Sequence, residues 1–196
     1  HKTVRRQRQM CIRDRSYCLD NWYLLDSKQP ISLDNVALIN NFLGGVDEDW
    51  FVTIHVCIED AAAPAVKSAF EIVSETNETN ILQHLKIIQT SLKKMNEIFD
   101  RMPEKCDPYI YYHRVRPYIF GWKNNPDLPK GLIYKGFFNG KPQQFRGETG
   151  AQSSIIPLLD ALFAVKHKKD SLRDYLEEML LYLSLIHISE PTRPLD

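Results

Sequence analysis

Apolar residues along most of the chain recur at three- and four-residue spacing, which is the period of an α-helix. The clearest stripe is formed by Ile81, Leu85, Ile88 and Leu92, while the neighbouring lysines fall mostly on other faces. No segment alternates convincingly as a strand would, so we expect an all-α helical bundle. The pattern predicts these helices: Leu33–Leu43, Trp50–Ser74, Asn80–Arg101, Pro108–Gly121, Ala151–His167 and Asp170–Tyr182.

Several residues indicate where these helices start and bend. Asp107 precedes Pro108, and proline suits the first position of a helix, so Asp107 is a candidate N-cap. Asp170 is a candidate N-cap for the last helix. Pro64 removes a backbone donor, so we expect it to bend or end its helix near Asp60.

A long irregular stretch, rich in Asn, Pro and Gly, separates the fourth and fifth predicted helices between Trp122 and Gly150. Loops of this length inside a helical domain are usually functional or disordered. Aromatic residues such as Tyr134, Phe137 and Phe138 offer anchors for it. We therefore expect an ordered loop that covers part of the domain.

Both ends of the chain read as translated adapter DNA. The stretch Met10–Arg15 can be encoded by ATGTGTATAAGAGACAGN, and the reverse complement of its fixed bases encodes Leu-Ser-Leu-Ile-His, which is Leu183–His187. One DNA element could therefore flank a coding insert in opposite orientations. We treat residues 1–15 and 183–196 as non-native. Residues 16–182 are then long enough to form most of one helical domain.

The composition of residues 16–182 excludes some classes of partner. They hold 18 Lys and Arg against 22 Asp and Glu, so no basic field favours nucleic acid or an anionic membrane surface. No apolar run reaches the roughly 18 residues of a membrane span. Cys18, Cys57 and Cys106 form no CxxC pair, which favours small buried hydrophobes in a reducing compartment. We expect a cytoplasmic monomer.

One histidine lies on an apolar helix face. Phe51, His55, Ile58 and Ala62 are spaced four, three and four residues apart. Periodicity alone favours a core histidine with a satisfied partner over a functional one. A zinc site is not expected here, because Cys57 points away from the face of His55.

An aromatic segment, Tyr111–Trp122, carries two arginines. Arg116 lies one turn from Tyr112 and falls on an apolar side, whereas Arg114 need not. A guanidinium among aromatic rings requires a carboxylate, which its planar fork can hold through two hydrogen bonds. That carboxylate could belong to a ligand or to an Asp or Glu of this chain, and spacing does not decide between them.

A turn of small residues, Phe145–Ser154, leads into the apolar stretch Ile155–Val165. Glycines before a helix let backbone amides approach an anionic group. Helix capping uses the same residue types, so this signal alone is weak. The sequence contains no phosphate-binding loop, dinucleotide fingerprint or nucleophile elbow.

The order and spacing of several motifs resemble the indoleamine 2,3-dioxygenase family over nearly all of residues 17–182. The motifs are Asn21-Trp22, Glu59-x-Ala61-Ala62-Ala63-x-Ala65, Arg116-x3-Phe120-Gly121-Trp122-Lys123-x-Asn125-Pro126-x-Leu128-x2-Gly131-Leu132-x-Tyr134 and Gly147-x3-Ala151-Gln152-Ser153-Ser154. The resemblance implies an all-helical fold that holds haem b. It also implies insertion of both atoms of O2, the co-substrate, across the indole 2,3 bond of L-tryptophan, giving N-formylkynurenine at the start of the kynurenine route.

The resemblance also implies roles for matched residues. Arg116 would bind the substrate carboxylate, Phe51 and Tyr111 would pack the indole, and His55 would face it on the distal side of the haem. The family's active-site loop would bring two further residues to the substrate and a haem propionate, namely Thr149 and Gly150. Two residues of the following helix would line the macrocycle, namely Ile156 and Leu159.

The chain departs from the family pattern at three of these places. His55 stands where some relatives carry Ser, Tyr111 replaces a Phe, and Glu148 replaces a usual Gly, where it could repel a propionate. The family's proximal histidine would follow Tyr182, so we expect this chain to be an inactive fragment of a dioxygenase. The alternatives are a non-catalytic helical partner-binding protein and a haem-binding relative without dioxygenase activity.

Overall fold

The computed structural model of the protein describes residues 16–147, 153–171 and 173–178. Helices dominate these residues, in agreement with the predicted all-α class. Residues 171 and 173–178 are helical as well. The elements in chain order are α1 (Ser16–Leu19), β1 (Trp22–Leu24), β2 (Val36–Leu38), α2 (Val46–Ser74), α3 (Glu78–Phe99), a 3-10 turn (Met102–Glu104), α4 (Pro108–Ile110), a π-helical turn (Tyr111–Val115), α5 (Arg116–Ile119), a 3-10 turn (Phe138–Gly140) and α6 (Ile155–Phe163).

The main core lies between the two long helices, α2 and α3, which we call the α2–α3 pair. Small residues on α2 allow close packing, and Ala65 is completely buried. The α3 stripe predicted from the sequence faces them through Ile88 and Met95. Two residues of α6, Ile155 and Leu159, complete the same cluster. The burial of apolar side chains removes them from water and drives this packing.

The prediction of a helix at Leu33–Leu43 was wrong, and so was the expected absence of strands. The β1 and β2 strands pair antiparallel, with Trp22 opposite Leu38. The buried Asn35 explains the difference. Its side-chain amide donates to the carbonyl oxygens of Asp26, Gln29 and Pro30, and its Oδ1 accepts from the Asp26 amide. Such side-chain bonds offer the backbone an alternative to the helix.

We expected Pro64 to bend or end its helix near Asp60; it does not end the helix, because α2 continues through Pro64 to Ser74. A proline inside a helix costs about 3 kcal/mol through its missing donor and its ring. The contacts of α2 with α3 extend beyond this point, since Ala69 belongs to the shared core. Tertiary packing therefore outweighs the local penalty.

The predicted caps are confirmed. The carboxylate of Asp107 accepts from the amides of Tyr109 and Ile110, at 2.8 and 2.9 Å. The carboxylate of Asp170 accepts from the amide of Arg173 at 2.9 Å. The helix α3 begins at Glu78, slightly before the predicted start at Asn80, because Asn77 caps it.

The stretch between Gly121 and Gly147 is folded back on itself by backbone hydrogen bonds. Leu132 and Gln143 form a bridge, and the amide of Trp122 donates to the carbonyl oxygen of Phe145 at 2.9 Å. Trp122 also donates from its indole nitrogen to the hydroxyl of Tyr134. The described part of the predicted ordered loop thus has a defined conformation.

The cysteines and the apolar character of the helices can be compared with the sequence predictions. Cys18, Cys57 and Cys106 are free thiols and are buried, as expected for small hydrophobes. Burial raises the pKa of Cys57 and of Cys106 to about 11, which keeps both thiols protonated at neutral pH. Among the helices of the described residues, none has the length and apolar character needed to cross a membrane.

Candidate active site

Four ring-bearing side chains meet where the start of α2 lies beside the start of α4, and we call this group the aromatic junction: Tyr17, Phe51, His55 and Tyr111. The rings of Phe51 and Tyr111 stack with centroids 4.1 Å apart, and those of Phe51 and His55 are 4.3 Å apart. Tyr17 meets His55 edge-on at 5.8 Å. The structure therefore brings three predicted site residues together.

The two helix starts are tied together one turn before the aromatic junction. The carboxylate of Asp47 accepts a hydrogen bond from the amide of Asp107 at 2.7 Å. Phe51 follows Asp47 by four residues, and Tyr111 follows Asp107 by four residues. Residues four apart lie one above the other on a helix, so this bond places Phe51 beside Tyr111.

His55 has a defined tautomer. Its Nδ1 lies 2.8 Å from the carbonyl oxygen of Phe51. A carbonyl oxygen can only accept, so we assign a proton to Nδ1, which leaves Nε2 as the acceptor whenever the ring is neutral. The histidine keeps a half-buried position, with one nitrogen engaged by its own helix.

The predicted helix Pro108–Gly121 is interrupted by a π-helical turn and ends at Ile119. Pro117 provides a physical reason, because it has no backbone donor and would crowd the carbonyl of His113 in a regular α-helix. In the π turn the amide of Arg116 donates instead to the carbonyl oxygen of Tyr111. Such turns often occur at functional sites.

The π turn separates the two arginines as the sequence predicts. Arg116 is half-buried, and its guanidinium lies 5.6 Å from the ring centre of Phe120. Arg114 is exposed.

The hydroxyl of Tyr111 is buried and has no hydrogen-bond partner of good geometry among the described residues. Burial raises its pKa to about 12, although the nearby charge of Arg116 opposes that shift. Tyr111 is therefore protonated at neutral pH and can act as a donor. The hydroxyl is a polar atom at the edge of the stacked rings of Phe51 and Tyr111.

Two glycines hold the segment that leads to the predicted active-site loop. Gly121 has a φ of 77°, and the amide of Gly147 donates to the carbonyl oxygen of Phe120 at 2.9 Å. A Cβ on Gly147 would lie 1.7 Å from the carbonyl oxygen of Ile119. Only glycine fits there, so the motif glycines have a packing reason. The predicted substrate contacts Thr149 and Gly150 lie outside the described residues.

An ion-pair group, which we call the Glu178 triad, fixes the other side of this segment. Glu178 pairs with Arg146 at 2.9 Å and also with Lys123. Hydrogen bonds from Arg146 and Lys123 lower the pKa of Glu178 to about 2. The triad joins the helix at residues 173–178 to both ends of the loop between Gly121 and Gly147, through Lys123 and Arg146.

The two residues predicted to line a macrocycle have different surroundings. Ile156 is half exposed and lines a cavity of about 470 Å³ together with Pro157, Leu176 and several charged residues. Leu159 is buried in the core of the α2–α3 pair. The hydroxyl of Ser153, at the cavity rim, donates to the carboxylate of Glu59, one turn after His55.

Tyr17 is the member of the aromatic junction that sequence reasoning missed. It is 6% exposed and lies far from Phe51 and His55 in sequence. It belongs to a four-residue helix, too short for a periodic pattern. Its position shortly before the Asn21-Trp22 motif was the sequence feature that could have indicated Tyr17 as a site residue.

The stacked rings of the aromatic junction and the half-buried Arg116 combine apolar surface with a few polar groups, as small-molecule sites do. The model of the family described as indoleamine 2,3-dioxygenase matches residues 14–189. The chain belongs to the indoleamine 2,3-dioxygenase family.

Relatives from animals and yeast agree with this membership. The chain is 36% identical to indoleamine 2,3-dioxygenase 1 of Rattus norvegicus over 174 residues, which is 86% of this chain and 42% of the rat protein. It is 37% identical to the Mus musculus protein of the same name, over 86% of this chain and 42% of that protein. It is 30% identical to the indoleamine 2,3-dioxygenase of Saccharomyces cerevisiae, over 80% of this chain and 38% of the yeast protein. The chain thus spans less than half of these relatives.

Proposed function

We propose that the complete protein carrying this chain is a haem-dependent dioxygenase that opens the indole 2,3 bond of L-tryptophan to give N-formylkynurenine. The observation that carries this proposal is the stack of Phe51 on Tyr111, with His55 and Arg116 beside it. Family membership supports the reaction class, since relatives named indoleamine 2,3-dioxygenase align with most of this chain.

The aromatic junction suits each part of the amino-acid substrate. Phe51 and Tyr111 offer apolar ring faces for the indole, and ring pairs prefer stacked or edge-on contact. Arg116 offers a planar fork for the carboxylate. His55, with Nε2 as its acceptor, would receive the indole N–H on the distal side. The thiols of Cys57 and Cys106, being buried and protonated, take no part.

The residues around Ile156 fit a flat apolar group that carries carboxylates. Ile156, Pro157 and Leu176 offer apolar surface, and Lys166 offers positive charge at the same cavity. Asp160 and Glu177 also line this cavity, and Glu177 is paired with Arg173. Haem b, when bound, supplies the iron at which O2 reacts, and the protein positions the substrate and excludes water. We keep Ile156 as a lining residue, whereas the core position of Leu159 gives it at most an indirect role.

A histidine that would hold the haem iron would come from the part of the relatives' length that this chain does not span. Among the residues that the structure describes, no group of His, Cys, Asp and Glu could enclose a metal ion. Residues 1–15 and 183–196 stay assigned as adapter-derived, although the family match includes residues 14–15 and 183–189. We propose that the chain alone is an inactive, cytoplasmic fragment of a monomeric enzyme.

The test is the reaction itself. The complete coding sequence would be expressed, loaded with ferrous haem, supplied with O2 and L-tryptophan, and followed by the absorbance of N-formylkynurenine. We expect product with the complete protein and none with residues 16–182 alone. A normal haem spectrum without product from the complete protein would reject the dioxygenase and favour a haem-binding relative. A complete protein that takes up no haem would favour a partner-binding role.

A further inference from the structure

The hydrogen bond from the Asp107 amide to the Asp47 carboxylate, which we call the Asp47 tie, joins two segments that are 60 residues apart in sequence. Asp47 lies in the first turn of α2, and Asp107 is the N-cap of α4. The bond is 2.7 Å long, and its acceptor is a carboxylate. Hydrogen bonds to such groups are stronger than those between neutral groups. The Asp47 tie is therefore a specific contact between the two helix starts.

The stacked rings of Phe51 and Tyr111 lie one helical turn beyond the Asp47 tie. Their planes differ by 25°. Tyr111 follows the short helix α4 (Pro108–Ile110), which has three residues. A helix of that length is not stable in isolation, so its place beside α2 depends on contacts between the two segments. The Asp47 tie supplies one of these contacts at the point where α4 begins.

Cys106, the residue before Asp107, reports whether this contact is intact. It is 6% exposed and packs with Trp50 and Ile54 of α2. Burial, together with the charges of Asp47 and Asp107, raises the pKa of its thiol to about 11. A covered and protonated thiol reacts slowly, and it becomes reactive when its segment opens locally. The labelling rate of Cys106 therefore measures how firmly the start of α4 is held on α2.

We propose that Asp47 is a positioning residue of the tryptophan site, because its bond to the Asp107 amide holds Tyr111 against Phe51 as one apolar surface for the indole. A displacement of about 1 Å at a binding surface can weaken a reaction strongly. Asp47 acts through the two rings, so its loss should change substrate affinity more than turnover. The inference rests on the proposed function and deepens it, since it assigns part of the indole affinity to a bond outside the ring stack.

The first experiment measures steady-state kinetics in the complete haem-loaded protein. For Asp47→Ala we expect KM for L-tryptophan to rise about three- to tenfold, as for the loss of one hydrogen bond to a carboxylate, and kcat to change less than about twofold. Asp47→Asn keeps an oxygen acceptor and should bring KM to within about twofold of the wild-type value. The matched control is Asp49→Ala, because Asp49 lies in the same turn but bonds to Asn41.

The second experiment needs no activity. The same proteins would be labelled with a maleimide in the absence of substrate, and the rate at each cysteine would be followed by peptide mass spectrometry. We expect Asp47→Ala to raise the rate at Cys106 at least about threefold, because the start of α4 opens more often. Cys57, which is 5% exposed within α2, is the internal reference and should not change. Asp49→Ala should alter neither rate.

Three results would overturn the inference. Equal KM increases in Asp47→Ala and Asp49→Ala would mean that both carboxylates act through the charge at the start of α2. An Asp47→Asn variant as impaired as Asp47→Ala would show that the bond to the Asp107 amide is not what matters. Unchanged labelling of Cys106 in Asp47→Ala would show that the segment stays in place without the Asp47 tie.

Failure of the proposed function can be recognised separately. If the wild-type protein forms no product, the dioxygenase proposal fails, and calorimetric binding of L-tryptophan then replaces KM as the measurement. Asp47→Ala should weaken this binding about three- to tenfold, whereas Asp49→Ala should bind as the wild type does. A wild-type protein that binds no L-tryptophan would refute the positioning role of Asp47, whatever the labelling of Cys106 shows.

Discussion

The α2–α3 pair and the aromatic junction share the helix α2 but differ in how completely their groups are satisfied. In the pair, Ala65 is 0% exposed and Ile88 is 1% exposed within one continuous apolar cluster. In the junction, Phe51, His55 and Tyr111 are half-buried, and the buried hydroxyl of Tyr111 makes no hydrogen bond of good geometry with the described residues. The same helix thus forms a continuous core along one part and contributes Phe51 and His55 to the aromatic junction along another.

This difference is typical of functional sites, where local rules are broken for a ligand. The π turn gives up regular helical bonding next to Arg116. The backbone contact at Gly147 leaves no space for a side chain. Changes in the pair should therefore affect stability, whereas changes near the junction should affect ligand affinity, sometimes with a gain in stability.

The largest expected effect is the loss of stability in Ile88→Ala. The cavity should lower the free energy of unfolding by about 2–5 kcal/mol. The matched control is Ile87→Ala, because the neighbouring Ile87 is 40% exposed and should cost much less. Urea unfolding of the two variants measures the difference. Equal losses would contradict the assignment of the α3 stripe to the core.

Gly147→Ala should come next, because its new Cβ would collide with the backbone of Ile119. Overpacking of this kind costs about 1–3 kcal/mol, and the displaced loop should also raise KM for tryptophan. In contrast, Gly136→Ala meets nothing within 4 Å and should leave KM unchanged, although its φ of 86° disfavours a side chain. A KM increase in both variants would remove the special role of Gly147.

Tyr111→Phe should have a smaller effect of opposite sign on stability. Removing a buried hydroxyl that makes no hydrogen bond of good geometry is expected to raise the free energy of unfolding by about 1 kcal/mol. Thermal unfolding without substrate measures this gain. A clear loss of stability would indicate that the hydroxyl has a structural hydrogen bond, and the contrast between pair and junction would weaken.

The smallest expected effect concerns the Glu178 triad. The pKa of Glu178 is lowered from 4.5 to about 2, so the triad should stabilise the fold above pH 4.5. That stabilisation should disappear as pH falls from about 4.5 to about 2, because the carboxylate becomes protonated. The melting temperature of Glu178→Gln should therefore lie slightly below the wild-type value at pH 7 and equal it near pH 2.

Glu177→Gln is the control for the triad, because Glu177 pairs only with the exposed Arg173 in the described residues and is 56% exposed. Its melting temperature should differ little from that of the wild type at either pH, as expected for a surface ion pair. A pH-independent difference for Glu178→Gln would show that the triad acts through packing and not through charge.

The sequence predicted the parts of the site that depend on local spacing. Phe51 and His55 share a helix face because they are four residues apart, and the half-buried position of Arg116 followed from its apolar neighbours. The N-caps Asp107 and Asp170 were also predictable, because a carboxylate that bonds the first amides acts locally.

The parts that failed depend on contacts between distant residues. Tyr17 reaches Phe51 only through tertiary packing, and the β1–β2 pairing depends on the bonds made by the buried Asn35. The π turn at Tyr111 needs the combined effect of Pro117 and the contact with α2. Helical periodicity cannot report any of these, since it measures one segment at a time.

The most direct test of the junction as a tryptophan site is a comparison of Arg116→Ala with Arg114→Ala in the complete haem-loaded protein. Both changes remove one positive charge from the same segment, but only Arg116 is half-buried beside Tyr111. We predict that Arg116→Ala raises KM for L-tryptophan far more than it raises the Kd for haem, and that Arg114→Ala changes neither. Equal losses of substrate and haem affinity in Arg116→Ala, or equal KM values in the two variants, would contradict the account.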